Sequence, residues 1–253
     1  MKYLNVEKFD ETGLVKTLMV LKDQARWRIY SHDIKADMED LKYYDELSKH
    51  FGISPSDMIR IPQKHSSNIF IAKRKDAGMG VVRMETEGDF DGILTDEKNL
   101  MLLTIESDCT PIYILDPIKK VIGMVHSGWR GAASKIGIKA IEMMVKNYGS
   151  DISDILIYFG PSICGNCYEV GEELVYEFEK ILTNDELDKV FTKKGDKLYL
   201  DVTAAIKFSI LKIGVKEENI DKSKYCTYHD NLFASWRRDK DKSQQMLTGI
   251  MLI

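Results

Sequence analysis

The chain has 253 residues, room for one large domain or two small ones at roughly 100–200 residues each. Hydrophobic residues make up 44% and charged residues 30%, a globular composition that argues against disorder. With 40 acidic against 36 basic residues the net charge is −4, so no broad electropositive field is expected and nucleic acid is excluded as a main partner.

The N-terminus, MKYLNVEKFDETG, is charged and broken, with no apolar core followed by small residues. Apolar runs such as Asn99–Ile105 and Met246–Ile253 fall short of the ~18–20 residues that span a bilayer. Four cysteines do not make a secreted disulfide framework. The expectation is a soluble, cytoplasmic protein of a reducing compartment, with no membrane partner. Its cysteines read as core residues, ligands or nucleophiles, and nothing in the sequence signals an oligomeric state.

In chain order, Met38, Leu41, Tyr44 and Leu47 recur at helical spacing, with Gly52 as a stop. Gly80–Met84, Leu100–Glu106, Pro111–Leu115 and Val121–His126 read as short strands between polar or Gly/Pro/Asp breaks. Ile138, Ile141 and Val145 stripe a helix after Gly131, and Asp154–Phe159 reads as a strand. Val170, Leu174, Phe178 and Leu182 stripe another helix. Val202, Ile206, Ile210 and Ile213 stripe a third, capped by Asp201 and stopped by Gly214. The tail Met246–Leu252 is a final strand. No repeat or low-complexity tract appears, and five prolines leave no linker. The reading is one compact, mixed α/β domain.

The chemistry concentrates in Leu103–Gly131. Asp108 and Cys109 stand at the end of one predicted strand and His126 at the end of another, where ligand crevices of α/β sheets form. If those strands are neighbours, Cys109 and His126 are a thiolate nucleophile with its base, or two metal ligands. A buried free cysteine beside a hydrogen-bonded core histidine is the plainer alternative. His65, just before the run Ile69–Ala72, is a third candidate. A His/Cys/His set leaves the open fourth position that a catalytic zinc needs. The glycine turn Ser127–Gly131 leads into a helix, a natural seat for an anion, and Arg130 adds a planar fork for phosphate.

Cys164-x-x-Cys167 and Cys226-x-x-His229 are formally a closed zinc pattern. With Cys167 and Cys226 59 positions apart (226 − 167) and a helix pair between them, the reading favoured is a loop wall or core packing. Arg237 and Arg238 are either a surface ion-pair cluster or a phosphate clamp. Glu85, Glu87, Asp89 and Asp91 read as a solvated turn, with a general acid or base among them as the lesser reading. No P-loop and no strand-linked GxGxxG is present, so ATP and dinucleotides lack support.

ESDCTPIYILDP (Glu106–Pro117), VHSGWRGAASKIG (Val125–Gly137), GPSICGNCYEVGEEL (Gly160–Leu174) and CTYHDNLFASWRRD (Cys226–Asp239) resemble, in order and spacing, the YfiH-like, laccase-domain family. GDFDGILTD (Gly88–Asp96) and QKHS (Gln63–Ser66) look like family blocks too. The resemblance covers roughly residues 60–253 of one domain spanning 1–253. It implies a four-layer α/β/β/α fold with mixed sheets and a zinc held by His65, Cys109 and His126. It also implies phosphorolysis of adenosine, inosine or methylthioadenosine to base and sugar 1-phosphate, with adenosine deamination as a side activity. A branch of the family is linked instead to amide hydrolysis on a peptidoglycan precursor, which would make Cys109 a nucleophile and His126 its base. Older labels imply a copper polyphenol oxidase, but five histidines do not supply the several clusters that multiple coppers require. A metal-dependent interaction module without turnover is the non-enzyme alternative.

On this reading Arg130, the helix start after Gly131, Arg237 and Arg238 hold phosphate. Asp108, or a carboxylate of Asp89–Asp91, protonates the departing purine. The chain departs from the family in residues 1–60, where KTLMVLKDQARWRIYSHD replaces the usual Ser-Thr-Arg-x-Gly-Gly stretch. If that arginine holds substrate, another group must serve here. Ser66 replaces a common glycine, His229 stands where many members have a second cysteine, and Cys164 is not a regular family position.

Overall fold

The computed structural model describes residues 2–22, 34–83, 88–241 and 245–253, and for 34–40 the backbone only. The N-terminal part contributes β1 (Tyr3–Leu4), α1 (Glu7–Asp10), β2 (Val15–Val20), α2 (Ile34–Phe51) and β3 (Met58–Arg60). Then follow β4 (Ile69–Ile71), β5 (Gly92–Thr95), β6 (Met101–Glu106), β7 (Thr110–Asp116) and β8 (Val121–Ser127). Next come α3 (Trp129–Ala133), α4 (Ile136–Tyr148), β9 (Leu156–Phe159), β10 (Glu169–Val170), α5 (Glu173–Glu179) and α6 (Asn184–Val190). The chain ends with β11 (Phe191–Lys194), β12 (Lys197–Leu200), α7 (Val202–Leu211), β13 (Ile220–Lys222), α8 (Trp236–Asp239) and β14 (Met246–Leu252).

Two mixed sheets face each other. One has the order β1-β2-β14-β6-β3, the other β13-β9-β7-β8-β5-β4, and a small β10-β12-β11 sheet stands apart. Alternation along the strands sorts the side chains. In β7, Ile112 and Ile114 point to a core shared with α4 and α7, whereas Tyr113 and Leu115 point between the sheets. In β6, Leu102 lies between the sheets, while Met101, Leu103 and Ile105 pack outward with Tyr44, Leu47 and Phe51 of α2. The result is α2, a five-stranded sheet, a six-stranded sheet and the α3–α7 helices: the α/β/β/α layering of one mixed α/β domain. Both sheets are covered on both faces, which is why β6, β7, β8 and β14 are buried along their whole length.

Most predicted elements form, with differences at their ends. Of the Gly80–Met84 reading, Met84 lies outside the described residues and Gly80–Arg83 is not a strand: the amides of Val81, Val82 and Arg83 all turn back onto the Gly78 carbonyl. Val170 pairs with Leu198 in the small sheet, outside the helix it was assigned to, and α5 ends at Glu179, before Leu182. In α4 the buried face is Ile136, Ala140, Ile141 and Met144, and Val145 is exposed. In α7 the predicted cap and stop hold, Asp201 Oδ1 accepting from the Ala204 amide and Gly214 following at φ +100°, but the helix ends at Leu211, before Ile213. No helix among the described residues is long and apolar enough to cross a membrane.

Tyr113, fully buried in the inter-sheet layer, donates its hydroxyl to the Leu18 carbonyl of the facing sheet at 2.8 Å. Tyr113→Phe removes the donor and keeps the ring. It is expected to cost about 1–2 kcal/mol in denaturant unfolding with an unchanged m-value; an unchanged midpoint would show that the bond adds nothing to sheet docking.

Candidate active site

The two sheets are joined at one end of the sandwich by three residues, Ser107, Asp108 and Cys109, which carry the chain from β6 to β7. Asp108 takes φ +82° there. By alternation Thr104 and Glu106 of β6, His126 of β8 and Asp91 just before β5 all face the inter-sheet layer, closing it with polar groups.

Register brings the candidates together. Pro111 pairs with His126 and Thr110 with Ser127, so Cys109 sits beside the end of β8. Asp91 precedes the Gly92↔Val125 pair, and its carbonyl accepts the His126 amide at 2.7 Å. The Asp91 carboxylate, with no solvent exposure, accepts His126 Nδ1 at 2.8 Å. It also accepts the amides of Lys64, His65 and Ser66 at 3.1, 3.0 and 2.6 Å, folding that loop over the strand end with His65 at φ +57°. One ligand atom each of His65, Cys109 and His126 lies within 4.8 Å of the others. Cys109 Sγ is 3.8 Å from His65 Nε2, and the imidazoles meet edge to face at 4.9 Å.

The electrostatics suit a cation. Burial works to raise the Cys109 thiol, but His126 and His65 outweigh it and bring it down to about 6. Burial likewise opposes charge on His126, yet Cys109, Glu106 and Asp91 raise its pKa well above the ordinary imidazole value. Burial, only partly offset by His126, pushes Glu106 up to about 8. Glu106 Oε2 lies 3.8 Å from His126 Nε2 and has no hydrogen-bond partner. A cysteine sulfur and two imidazole nitrogens within reach of one point are a donor set for a borderline-soft divalent ion. Gly128 leaves room for it: a Cβ there would stand 3.0 Å from Cys109 Sγ and 3.2 Å from His65 Cδ2.

The trio opens into a cavity of about 740 Å³. Trp129, Tyr168 and Trp236 supply its aromatic wall, and Arg130, Arg237 and Lys240 its cations. Arg130 stacks on Trp129 at 4.3 Å; Arg237 lies 4.8 Å over Tyr168 and donates to the Glu169 carbonyl at 2.8 Å. Ser107 Oγ and Gln245 Oε1 are buried, unpartnered and part of the cavity lining.

Several expected roles move. Helix α3 begins at Trp129 with Gly128 as its cap, one turn earlier than the expected start after Gly131. Gly131 does not line the cavity; it packs against Ile136 and Ser127, where a Cβ would stand 3.3 Å from each. Arg238 is also outside it. It donates to the carbonyls of Thr227, Tyr228 and Phe233 at 2.6, 3.1 and 2.8 Å and pairs with Asp239 at 2.7 Å, a brace for the 227–239 loop. Asp108 lines the cavity, but its carboxylate accepts Thr227 Oγ1 and the Arg237 amide, each at 2.6 Å, so it is built as an anchor and not as a free proton donor. Asp91 is an anchor too, Asp89 is exposed, and Glu85 and Glu87 lie outside the described residues, as does most of the divergent KTLMVLKDQARWRIYSHD stretch. Cys164, Cys167, Cys226 and His229 are brought together, against the loop-wall expectation. Sequence reasoning missed Glu106, Ser107, Tyr168 and Gln245. Only Glu106 carried a signal, as the acidic end of an apolar strand.

An α/β/β/α sandwich with a Cys/His trio that could hold a metal ion at the junction of its sheets defines the class. The model described as multi-copper polyphenol oxidoreductase laccase matches residues 30–253, and the chain belongs to that family. It is 30% identical over 224 residues to "Purine nucleoside phosphorylase YlmD" of Bacillus subtilis, covering 88% of this chain and 80% of that one. It is 28% identical over 207 residues to "Adenosine deaminase RL5" of an unknown prokaryotic organism, covering 81% and 78%. The crystal structure of Bacillus licheniformis hypothetical protein YfiH superposes with a TM-score of 0.89 at 24% identity over 99% of this chain and 96% of that one, a likeness of fold.

Two predictions follow from these anchors. Asp91→Asn keeps the shape but weakens acceptance from His126 and the 64–66 loop, and, if the trio holds an added divalent ion such as zinc, is expected to lower its affinity there about 10–100-fold in chelator competition. Unaltered affinity would remove Asp91 from the site. Elsewhere, the Arg238 pair, with Lys22 adding to it against partial burial, holds Asp239 down at about 2. A depressed acid contributes above its unfolded pKa near 3.8 and loses that contribution as pH falls through about 2. Asp239→Asn should therefore cost about 1 kcal/mol at neutral pH, a gap that closes between about pH 4 and pH 2; a constant gap in thermal melts would refute the ion pair.

Proposed function

We propose that this chain is a zinc-dependent purine nucleoside phosphorylase that splits adenosine, inosine or methylthioadenosine with phosphate into base and sugar 1-phosphate. The carrying observation is that one cavity combines the His65/Cys109/His126 trio with two guanidinium groups and flat aromatic walls. Relatives named purine nucleoside phosphorylase support the same reading.

His65, Cys109 and His126 would hold the zinc, which when bound would supply Lewis acidity toward a phosphate or water oxygen. The donor set favours zinc over the copper that the family's label suggests. The protein's own groups do the rest. Asp91 takes the proton side of His126 at Nδ1 and so turns Nε2 toward Cys109 and His65. The low thiol pKa of Cys109 makes the thiolate available as a ligand near neutral pH. Arg130 and Arg237 offer planar forks to phosphate oxygens and counter the charge carried into the site. Trp129, Tyr168 and Trp236 give a purine faces to lie against. Ser107 Oγ and Gln245 Oε1 offer hydrogen bonds that the protein does not satisfy. Asp108 fixes the Arg237 amide and so the wall that presents its guanidinium. The cytoplasm is the proposed location, in keeping with four unpaired cysteines.

Adenosine deamination is the second reading, favoured by the relative named adenosine deaminase and by the same cavity, with water in place of phosphate. Incubating zinc-loaded protein with adenosine, with and without phosphate, separates them. Adenine formed only with phosphate is expected, and Cys109→Ala should lose the zinc of this cavity and at least about 100-fold in rate. Inosine in both incubations assigns deamination as the main reaction. Neither product would overturn both readings in favour of amide hydrolysis by a Cys109 thiolate with His126 as base.

A further inference from the structure

Outside the cavity trio, a second group of metal-ligating side chains converges. Cys164, Cys167, Cys226 and His229 each place one ligand atom within 4.8 Å of the others. Cys164 Sγ and Cys167 Sγ are 3.5 Å apart, and Cys167 Sγ is 3.1 Å from His229 Nε2 and 4.0 Å from Nδ1. A tetrahedral zinc with Zn–S about 2.3 Å and Zn–N about 2.0 Å has S···S edges of about 3.8 Å and S···N edges of about 3.5 Å. The cage is the right size. It is also too wide for a disulfide, whose sulfurs stand about 2.05 Å apart, and all four cysteines are free.

The backbone around the cage turns amides toward two of its three sulfurs. The two turns are alike: the amides of Cys167 and Tyr168 bond the Cys164 carbonyl at 2.9 and 3.2 Å, and those of His229 and Asp230 bond the Cys226 carbonyl at 3.2 and 2.9 Å. Each turn also wraps amides around its leading sulfur. The Asn166 amide points to Cys164 Sγ, and those of Tyr228 and His229 point to Cys226 Sγ, which accepts the Cys164 amide as well, at 3.3 Å. A bridge between Ser162 and Cys226 holds the two segments in register.

We propose that Cys164, Cys167, Cys226 and His229 form a structural zinc site distinct from the cavity trio. Three thiolates and one imidazole complete a closed tetrahedron with no place for water, which assigns a structural rather than a catalytic ion. Zinc entry displaces the protons of those thiols still protonated to solvent and changes no oxidation state. The half-buried cysteines and the exposed His229 leave the cage open to the ion. Its effect is to pin two loops that reach the cavity. Tyr168 follows Cys167 directly, and Thr227, next to Cys226, holds Asp108.

The test uses the full chain, purified with reductant, and zinc counted by elemental mass spectrometry. Cys109→Ala should retain one zinc per chain, and adding Cys226→Ser should remove it and lower Tm by about 5–10 °C. Cobalt titrated into Cys109→Ala should give thiolate charge-transfer and intense tetrahedral visible bands that the double variant lacks. If Cys226→Ser does not fold, His229→Ala at the exposed corner replaces it; it should weaken cobalt binding about 10–100-fold and alter the visible bands. The proposal is overturned if Cys109→Ala holds no zinc and shows no such bands, or if intact mass shows two hydrogens missing from a Cys pair. Zinc retained by Cys109→Ala but lost entirely from Cys226→Ser would sink the cavity trio as a metal site and leave this one standing.

Discussion

One buried carboxylate organises the site. Asp91 has no solvent exposure and accepts from four donors: His126 Nδ1 and the amides of Lys64, His65 and Ser66. Such a charge is tolerable in the interior only because its lone pairs are so fully used. The hydrogen bonds from His126 and Ser66 outweigh burial and hold its pKa below the usual aspartate value. In satisfying itself, Asp91 joins a loop to a strand end. His65 belongs to one and His126 to the other, so the two imidazoles meet because a carboxylate between them needs its donors.

The sandwich supplies the third member. The chain crosses from one sheet to the other in three residues, too short a span to retreat from the inter-sheet layer, so Cys109 must emerge at its edge. The apolar alternation of β6 and β14 gives way at that edge to Thr104, Glu106 and Thr248, all buried. Thr104 and Thr248 share a 2.7 Å hydroxyl bond, and Glu106 is left with one oxygen unsatisfied. An unpaired buried oxygen costs on the order of 1–3 kcal/mol. Spending that beside His126 makes sense where a cation or a ligand is to arrive.

Most of the layers were legible in the sequence because burial on both faces leaves near-continuous apolar runs, as in Pro111–Leu115 and Met246–Leu252. The same signal misled at Gly80–Met84, where Val81 is buried under the α2 layer as part of a turn. Strand ends gave Cys109 and His126, and the glycine turn gave Arg130. The second ring of groups was hidden. Asp91 looked like one acid of a solvated turn, since no pattern in a single sequence records that β5 pairs with β8. Arg237 and Arg238 are adjacent and chemically identical, yet one faces the cavity and the other is spent on loop carbonyls, a division fixed by the short α8 turn. Spacing argued against Cys164, Cys167, Cys226 and His229 meeting, because chain separation says nothing once a parallel bridge at Ser162 and Cys226 closes the distance.

Asp108 is where the two cysteine clusters become mechanically related. It precedes Cys109, takes a left-handed backbone conformation, and spends one carboxylate oxygen on Thr227 and the other on the Arg237 amide. Thr227 in turn lies between Cys226 and His229, and Arg237 reaches back to Glu169, two residues beyond Cys167. Strain of this kind persists only where the surroundings over-determine it. Here the surroundings are the loops that the four-residue cage holds. The positions of the Cys109 thiolate, the Tyr168 wall and the Arg237 guanidinium are therefore set together, by one carboxylate braced against one cluster.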